Sequence, residues 1–233
     1  MSEQTARRFD LVLFDLDGTL IETAPEIQDA VNDTLEALGL EPVDLETVVR
    51  WIGHGTRELL VSALASRRAL EREAVALAED FDAVQALYAS HYRARCGTRS
   101  RPYEGMRETI EALRDAGIRV AILTNKEARY TQAVLEAHRL EDAFDLVIAG
   151  DTLPRKKPDP AGIDFARERF GVGRERTLLV GDSAIDVAAA RHAGVAVWVF
   201  PWGYNLGRPI AESAPDRVLS SYAELRAALL GAS

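Results

Sequence analysis

The fold of this chain is decided by one stretch near its start, Phe9-Asp10-Leu11-Val12-Leu13-Phe14-Asp15-Leu16-Asp17-Gly18-Thr19-Leu20. Its apolar run Leu11–Phe14 is typical of a strand that is buried on both faces of a parallel sheet. Asp15 and Asp17 follow at once, and Gly18 then permits a tight turn. Because open α/β sheets bind ligands at the carboxyl ends of their strands, we expect both carboxylates at a binding crevice.

Asp15 and Asp17 are the first candidates for a metal site. Two neighbouring carboxylates repel each other, and a hard divalent cation such as Mg²⁺ relieves that repulsion. A calcium loop of the D-x-D-x-D-G type does not fit, because Gly18 stands at the fourth position and such a loop needs its glycine at the sixth. The alternative is that the two aspartates merely begin a turn, where Asp is common.

The composition limits the possible classes of function. The chain has 233 residues, of which 47% are hydrophobic, enough for one sizeable core and a smaller second domain. Its net charge of -9 disfavours non-specific binding to nucleic acid, so no nucleic-acid partner is predicted. Cys96 is the single cysteine, which excludes an internal disulfide framework.

The chain also carries no pattern that indicates a membrane partner. Residues 1–8 lack the apolar segment of a signal peptide. No run approaches the roughly 18 apolar residues that a membrane-spanning helix requires. We therefore expect a cytoplasmic protein that has no membrane partner and is a monomer or a homodimer.

A block of helices follows the opening stretch. Residues 24–38 are predicted to form a helix with Ile27, Val31 and Leu35 on one face, and Thr23 could cap its start. Further helices are predicted over 45–52, 57–65 and 69–95. No convincing strand is predicted between residues 21 and 99, so this segment is interpreted as an all-helical insert.

From residue 102 onward, strands and helices alternate. Strands are predicted over 118–123, 144–148, 177–180 and 195–200. Helices are predicted over 104–116, 127–138, 160–170, 183–192 and 221–230. Because strands that alternate with helices form βαβ units, the fold class is α/β with a parallel sheet, and the helical block is inserted between its first two strands.

Two of these strands end in groups that could bind an anion. Thr124 and Asn125 end one strand, and their hydroxyl and amide could hold an oxygen of an anionic group or simply cap a helix. Lys157 stands before Pro158, which biases its backbone to an extended conformation. Lys157 could therefore act as a fixed point charge on a phosphate or a carboxylate. The alternative is a solvated basic run.

A further strand ends in Gly181-Asp182-Ser183-Ala184-Ile185-Asp186. Asp182 and Asp186 are four residues apart on one side of a helix start, where like charges repel. A metal ion would relieve that repulsion, although capping by Asp182 or Ser183 also explains part of the pattern. Since parallel strands share one carboxyl edge, all of these groups are predicted to converge on one crevice.

The chain resembles the haloacid dehalogenase superfamily of phosphohydrolases along essentially its whole length. The motifs that carry the resemblance are Asp15-Leu16-Asp17-Gly18-Thr19-Leu20, Thr124-Asn125, Lys157-Pro158 and the stretch from Gly181 to Asp186. The resemblance implies a Rossmann-like, three-layer core with a parallel sheet and an inserted α-helical cap domain. The implied domains are 1–20 for the first strand and nucleophile loop, 21–99 for the cap, and 100–233 for the rest of the core.

The same resemblance implies a catalytic set. Asp15 would be the nucleophile and form an aspartyl-phosphate, a covalent strategy known for carboxylates. Asp17 would protonate the leaving alcohol and then activate the hydrolytic water. Thr124 and Lys157 would hold the phosphoryl group during transfer.

It also implies a Mg²⁺ cofactor and further contacts with phosphate. The implied metal ligands are Asp15, Asp182 and the backbone carbonyl of Asp17, with Asp186 reaching the ion directly or through water. Thr19 and Asn125 complete the phosphate-binding set.

Within the superfamily the chain most resembles phosphoglycolate phosphatases. Three stretches carry this resemblance: Thr23-Ala24-Pro25-Glu26, Trp51-Ile52-Gly53-His54-Gly55 and Gly203-Tyr204-Asn205. The partner is therefore expected to be a small phosphorylated metabolite, 2-phosphoglycolate, whose carboxylate would be bound by Arg50 and His54. The alternative is that Arg50 and His54 are surface residues beside a helix turn. Two departures from the usual pattern are Glu22 and His54, where relatives mostly carry Asp and Asn.

Other functions remain open at this level. The same chemistry suits a sugar-phosphate phosphatase, a pyrophosphatase or a β-phosphoglucomutase-like enzyme. A protein of a different class, a sensor that binds phosphate metabolites without turnover, would use the same crevice. The intact Asp15, Asp17, Lys157 and Asp182 favour an enzyme over such a sensor.

Overall fold

The computed structural model describes residues 8–231, so predictions on residues 1–7 and 232–233 lie outside the described part. The strands are β1 (Leu11–Phe14), β2 (Ile21–Glu22), β3 (Arg101–Pro102), β4 (Arg119–Leu123), β5 (Leu146–Ile148), β6 (Thr177–Gly181), β7 (Ala196–Val199) and β8 (Arg217–Val218). The helices are α1 (Ala24–Ala37), α2 (Leu45–Val49), α3 (Thr56–Arg68), α4 (Arg72–Ala76), α5 (Phe81–Arg95), α6 (Met106–Asp115), α7 (Ala128–Ala137), α8 (Ala161–Phe170), α9 (Ala184–Ala193) and α10 (Tyr222–Leu230).

Strand β1 lies in the middle of a six-stranded parallel sheet with the order β5-β4-β1-β6-β7-β8. Its four residues are fully buried, as expected for a strand with helices on both sides. Phe14 is in register with Ile122 of β4 and with Val180 of β6. The three central strands therefore end at the same level, and the predicted α/β fold with a parallel sheet is confirmed.

The helices α1 to α5, which we call the cap, pack around one buried cluster that also takes in Tyr130 and Tyr204 of the core. Ile27 and Val31 of α1 belong to the same cluster as Val84 and Tyr88 of α5. Burial of one such side chain contributes about 1.5–3 kcal/mol relative to exposure. These helices are therefore held together by apolar contacts, and along the chain they are joined to the sheet through the short strands β2 and β3.

The single helix predicted over 69–95 is wrong. Ala69 has a left-handed backbone, with φ of 51°, and ends α3, after which α4 and α5 are separate helices. Val75 and Phe81 are both buried, although residues six apart point to different faces of a straight helix. The break between α4 and α5 allows both side chains to reach the cluster of the cap, and Leu77 within it is exposed.

Two further differences concern very short strands. The pair β2 and β3 forms an antiparallel ribbon in which Ile21 faces Pro102 and Glu22 faces Arg101, so the segment after residue 20 is not purely helical. Strand β8 at the sheet edge was not predicted either. Two residues are too few for an alternating pattern, and pairing partners decide such strands. In the described part of the chain, no helix is long and apolar enough to cross a bilayer.

Candidate active site

A cavity lies between the cap and the carboxyl ends of the central strands. Its core wall includes Asp15 and Asp17 after β1, Thr124 to Lys126 after β4, and Asp182 after β6. Its cap wall is largely apolar and consists of Ile27, Ile52, Leu59, Tyr88 and Tyr92, with Gly53, Gly55 and Thr56 beside them. The cavity volume open to the centres of water molecules is about 40 Å³. The predicted convergence of motif residues from three strands is therefore found at this one place.

Lys157 is a buried cation at the floor of the site. Its Nζ lies 2.9 Å from Oδ1 of Asp15 and 2.7 Å from Oδ1 of Asp186, and the residue is only 4% exposed. Burial opposes its charged form, but the two carboxylates outweigh that effect and raise the pKa of Lys157 above its ordinary value. The alternative of a solvated basic run is therefore wrong for Lys157, although it describes the exposed Arg155 and Lys156.

Three carboxylates converge around this lysine. Oxygens of Asp15, Asp182 and Asp186 all lie within 4.8 Å of one another. Burial, together with the neighbouring carboxylates, raises the pKa of Asp15 to about 6 against the effect of Lys157. Burial and the same neighbours also raise the pKa of Asp182 well above its ordinary range. Such a donor set of hard oxygens with uncompensated negative charge fits a divalent cation such as Mg²⁺.

Asp186 has a different environment from the other two carboxylates. Its Oδ2 accepts hydrogen bonds from the hydroxyl of Ser183 at 2.6 Å and from the amides of Asp182 and Ser183. Its Oδ1 accepts from Lys157. Ser183 and Asp186 form a capping box at the start of α9, so the prediction that Ser183 caps this helix holds. Asp186 is fully buried and organises the loop, so it is no mere surface charge.

Asp182 is held by groups on two separate loops. Its Oδ1 accepts a hydrogen bond of 2.7 Å from the hydroxyl of Thr19, and its Oδ2 accepts one from the amide of Tyr204. A Cβ at Gly18 would lie 2.5 Å from Oδ2 of Asp182, and Gly18 also has φ of +83°. The glycine of the opening motif is therefore required both by the turn and by the close approach of Asp182. Thr19 contacts this carboxylate, and its predicted contact with phosphate stays a prediction.

Asp17 is bound by two side chains that the sequence did not assign to it. Its Oδ1 accepts a hydrogen bond of 2.7 Å from the hydroxyl of Thr23, which consequently does not cap α1 as predicted. Its two oxygens lie 2.9 and 3.1 Å from Nζ of Lys126. Lys126 is 8% exposed, and its Nζ lies 4.8 Å from the centroid of the Tyr92 ring.

Lys126 is thus a site residue that sequence reasoning missed. The available signal was its position directly after Thr124 and Asn125 at the end of β4. Among the described residues that line the cavity, Lys126 is the one with a cationic side chain. It stands between Asp17 on the core wall and the Tyr92 ring of the cap.

Asn125 connects the core with the cap. Its Nδ2 donates to the carbonyl oxygens of Gly53 at 3.0 Å and of Lys157 at 2.9 Å. Both hydrogens of the side-chain amide are therefore engaged, and Oδ1 is buried with no partner among the described residues. The hydroxyl of Thr124 accepts from the amide of Lys126 at 3.2 Å. The roles of Thr124 and Asn125 toward phosphate stay predictions.

Arg50 and His54 are not brought into the cavity. Arg50 forms an ion pair with Glu46, and 56% of its side chain is exposed. The His54 side chain is also exposed, and its backbone carbonyl accepts a hydrogen bond from Lys156. Neither residue lines the cavity, whereas Gly53 and Gly55 of the same loop do. The predicted role of Arg50 and His54 toward a substrate carboxylate stays a prediction.

Residues 12–200 match the family of haloacid dehalogenase-like hydrolases, and the chain belongs to that family. The resemblance drawn from the motifs is therefore confirmed, as is the prediction of a hydrolytic enzyme. Phosphatases of this family generally use a divalent metal ion, in accord with the cluster of aspartates.

Several individual proteins that are similar to this chain share one name. Phosphoglycolate phosphatase 1 of Pseudomonas aeruginosa is 40% identical over 215 residues, which cover 92% of this chain and 78% of that protein. Phosphoglycolate phosphatase of Thiobacillus denitrificans is 39% identical over 213 residues, covering 91% of this chain and 92% of that one. A crystal structure of a predicted phosphoglycolate phosphatase from Haemophilus somnus superposes with a TM-score of 0.88 at 33% identity, covering 94% and 97% of the two chains.

Proposed function

We propose that this chain is a Mg²⁺-dependent phosphomonoester hydrolase that converts 2-phosphoglycolate to glycolate and phosphate through an aspartyl-phosphate. The observation that carries the proposal is the set of Asp15 and the buried Lys157, Asp182 and Asp186 at a small cavity with one cationic side chain. Phosphoryl transfer needs alignment and charge neutralisation above all, and this set offers both. The names of the relatives support the choice of substrate.

The chemistry has two steps. A carboxylate oxygen of Asp15 attacks phosphorus, the ester bond breaks, and the leaving alkoxide takes a proton from the carboxyl group of Asp17. Asp17, now a carboxylate, then removes a proton from water, whose oxygen attacks phosphorus and breaks the bond to Asp15. Inorganic phosphate leaves, and Asp15 and Asp17 regain their starting states. Lys157 and Thr124 hold the phosphoryl oxygens, and Lys157 also fixes Asp15.

Mg²⁺ would be held by Asp15, Asp182 and the backbone carbonyl of Asp17, with Asp186 orienting Lys157 and the loop or reaching the ion through water. When bound, it neutralises charge on the phosphoryl group and on Asp15. Thr19 and the amide of Tyr204 keep Asp182 in position for this role.

The small cavity supports a small leaving group. A volume of only about 40 Å³ open to the centres of water molecules suits a two-carbon acid better than a hexose. Lys126 faces this space and would pair with the substrate carboxylate once Asp17 carries its catalytic proton. We therefore assign the recognition of the leaving group to Lys126, in addition to the earlier hypothesis for Arg50 and His54.

A panel of phosphate esters assayed with Mg²⁺ tests the proposal. We expect the highest kcat/KM for 2-phosphoglycolate, compared with ethyl phosphate, a hexose phosphate and pyrophosphate. A much higher value for the hexose phosphate or for pyrophosphate would replace the substrate by that compound. Binding of phosphate esters without turnover of any of them would indicate a sensor instead of an enzyme.

Variants then test which side chain binds the carboxylate of the substrate. Lys126→Met should reduce kcat/KM for phosphoglycolate by about tenfold or more relative to its effect on ethyl phosphate, which lacks only the carboxylate. Arg50→Ala and His54→Ala serve as the matched comparison from the cap loop. If Arg50→Ala and His54→Ala show the selective loss on phosphoglycolate and Lys126→Met does not, the loop that carries Arg50 and His54 binds the carboxylate of the leaving group.

A further inference from the structure

We propose that Tyr204 is a positioning residue that fixes the first helix of the cap against Asp182 and thereby keeps Asp17 in place for proton transfer. The inference rests on the function proposed above and adds a residue to it. Tyr204 lies in the loop between β7 and β8, outside the four motifs of the core, and is 6% exposed.

Tyr204 binds core and cap with two different groups. Its backbone amide donates to Oδ2 of Asp182, on the core side. Its phenol oxygen accepts from the amides of Thr23 at 3.0 Å and of Ala24 at 2.9 Å, at the first turn of α1. One residue therefore ties a metal-binding carboxylate directly to the start of the cap.

The start of α1 needs this phenol for a specific reason. The first amides of a helix have no partner within the helix, and an N-cap side chain commonly satisfies one of them. Thr23 is the N-cap residue, but its hydroxyl donates to Asp17 at 2.7 Å and makes no capping hydrogen bond. The phenol of Tyr204 accepts instead from the amides of Thr23 and Ala24, and this fixes the backbone that carries the Thr23 hydroxyl to Asp17.

Close packing leaves the ring of Tyr204 little room to move. A Cβ at Gly18 would lie 2.9 Å from Cδ2 of the ring, so the ring packs directly on the loop between Asp17 and Thr19. Tyr204 thus contacts both the loop that carries Asp17 and the start of the cap.

Tyr222 offers a matched control within the same chain. It is fully buried, and its phenol donates to the backbone carbonyl of Thr19 at 2.8 Å. Tyr222→Phe therefore removes one buried phenolic hydrogen bond near the same loop without touching the cap. Any effect of Tyr204→Phe that arises from lost stability alone should appear in Tyr222→Phe too.

The first readout is hydrogen exchange of the metal-free protein, which does not depend on activity. We expect the amides of Thr23 and Ala24 to exchange about tenfold faster or more in Tyr204→Phe, since they lose their acceptor. Tyr222→Phe should leave their exchange at the wild-type rate. Unchanged exchange at these amides in Tyr204→Phe would overturn the proposal.

The second readout is the dependence of kcat/KM on the leaving group, measured with para-nitrophenyl phosphate and phenyl phosphate in the presence of Mg²⁺. Proton donation matters more for phenyl phosphate, whose leaving group is the stronger base. We expect Tyr204→Phe to lose about tenfold more on phenyl phosphate, because a hydrogen bond to a charged group is worth about that factor. Equal losses on both esters, of the size found for Tyr222→Phe, would mean that Tyr204 only stabilises the fold, and they would overturn the proposal.

Two more variants separate this inference from the proposed function. Asp17→Asn should itself lose more kcat/KM on phenyl phosphate than on para-nitrophenyl phosphate. Equal losses on the two esters would refute the role of Asp17 as an acid, independently of the result for Tyr204→Phe. Thr23→Val carries the test if Tyr204→Phe does not fold, since it removes the hydroxyl that reaches Asp17. It should reproduce the selective loss on phenyl phosphate, and an equal loss on both esters would overturn the positioning of Asp17 from the cap.

Discussion

Single residues at the carboxyl edge of the sheet determine the chemistry that this site can perform. Asp15 and Asp17 are two residues apart, yet they have different partners: Lys157 and the carboxylate cluster surround Asp15, whereas Thr23 and Lys126 bind Asp17. The two carboxylates therefore suit different tasks, a nucleophile and a proton carrier.

Asp15→Asn should abolish turnover while the fold stays intact. The amide keeps the shape of the carboxylate but removes the nucleophilic charge, and it still accepts a hydrogen bond from Lys157. Steady-state assays with phosphoglycolate test the loss, and circular dichroism tests the fold. A folded variant with near-wild-type activity would rule out an aspartyl-phosphate.

Removal of divalent metal should inactivate the enzyme reversibly. The reason is the convergence of Asp15, Asp182 and Asp186 within 4.8 Å, which leaves negative charge to be neutralised. Activity should be lost in EDTA and return with Mg²⁺, while Ca²⁺ should restore it poorly because it accepts looser geometry. Full activity in metal-free buffer would contradict the assignment.

How far these residues were predictable depends on where they stand along the chain. Asp15, Lys157 and Asp182 follow strands whose apolar runs are visible, so the shared edge of a parallel sheet predicts their proximity. The contact of Lys126 with the Tyr92 ring and those of the Tyr204 phenol with Thr23 and Ala24 depend on the cap lying over the core, and no local pattern encodes that placement. Arg50 lies on the expected loop, yet its side chain pairs with Glu46 outside the cavity.

At the level of elements, long apolar patterns were informative and short or polar ones were not. Strands β1, β4 and β6 were predicted because each is a buried run of four or five residues. The ribbon of β2 and β3 and the edge strand β8 have two residues each, and pairing rather than periodicity creates them. The polar segment between α4 and α5 lacks a buried face, so its break was invisible in the sequence.

The pair of α1 and α5 in the cap carries a testable ion pair. Arg95 donates to both oxygens of Asp33, at 2.7 and 2.8 Å, and this hydrogen bonding lowers the pKa of Asp33 below its ordinary value of 3.8. A lowered pKa in the folded state means that the pair stabilises the fold above pH 3.8. That stabilisation is lost as the pH falls through the lower pKa of the folded state.

Asp33→Asn should therefore lower the midpoint of thermal unfolding at neutral pH by about 1–2 °C, a small effect because the pair is partly exposed. The difference from wild type should persist down to about pH 4, decline as the pH falls further, and vanish only below the lowered pKa of folded Asp33, where the wild-type carboxylate is protonated as well. Glu36→Gln, an exposed position on the same helix, is the control. A difference that stays constant through pH 3 would exclude this ion pair as its cause.

For the whole molecule, the arrangement of cap and core predicts a mobile lid. Loop 53–56 of the cap is fastened to the core by three hydrogen bonds: Asn125 to the Gly53 carbonyl, Lys156 to the His54 carbonyl, and Thr56 to Glu127. Only the paired connections β2 and β3 join cap and core along the chain. Such an arrangement suits rotation about the ribbon, with the three hydrogen bonds broken in an open form.

Small-angle scattering should show a smaller radius of gyration when Mg²⁺ and a phosphate analogue such as vanadate are present. The double variant Thr56→Val and Lys156→Met removes two of these three hydrogen bonds. It should shift the ligand-free protein toward the larger radius of gyration of an open form. Scattering curves that are identical with and without the analogue would speak against a moving lid. The opposite shift in the double variant would exclude these contacts as its fastening.

The ribbon of β2 and β3 has a consequence for the origin and the engineering of this architecture. Since Ile21 stands opposite Pro102, the insert leaves and re-enters the core at neighbouring points, about 5 Å apart as in any antiparallel pair. We therefore expect the core to accept other inserted modules whose two ends lie equally close together. Exchange of residues 25–100 for another such module, with Thr23 and Ala24 kept as partners of Asp17 and Tyr204, would change the groups that face the catalytic edge while its parallel strands keep their register. Selectivity and chemistry can in this way diversify independently in one chain.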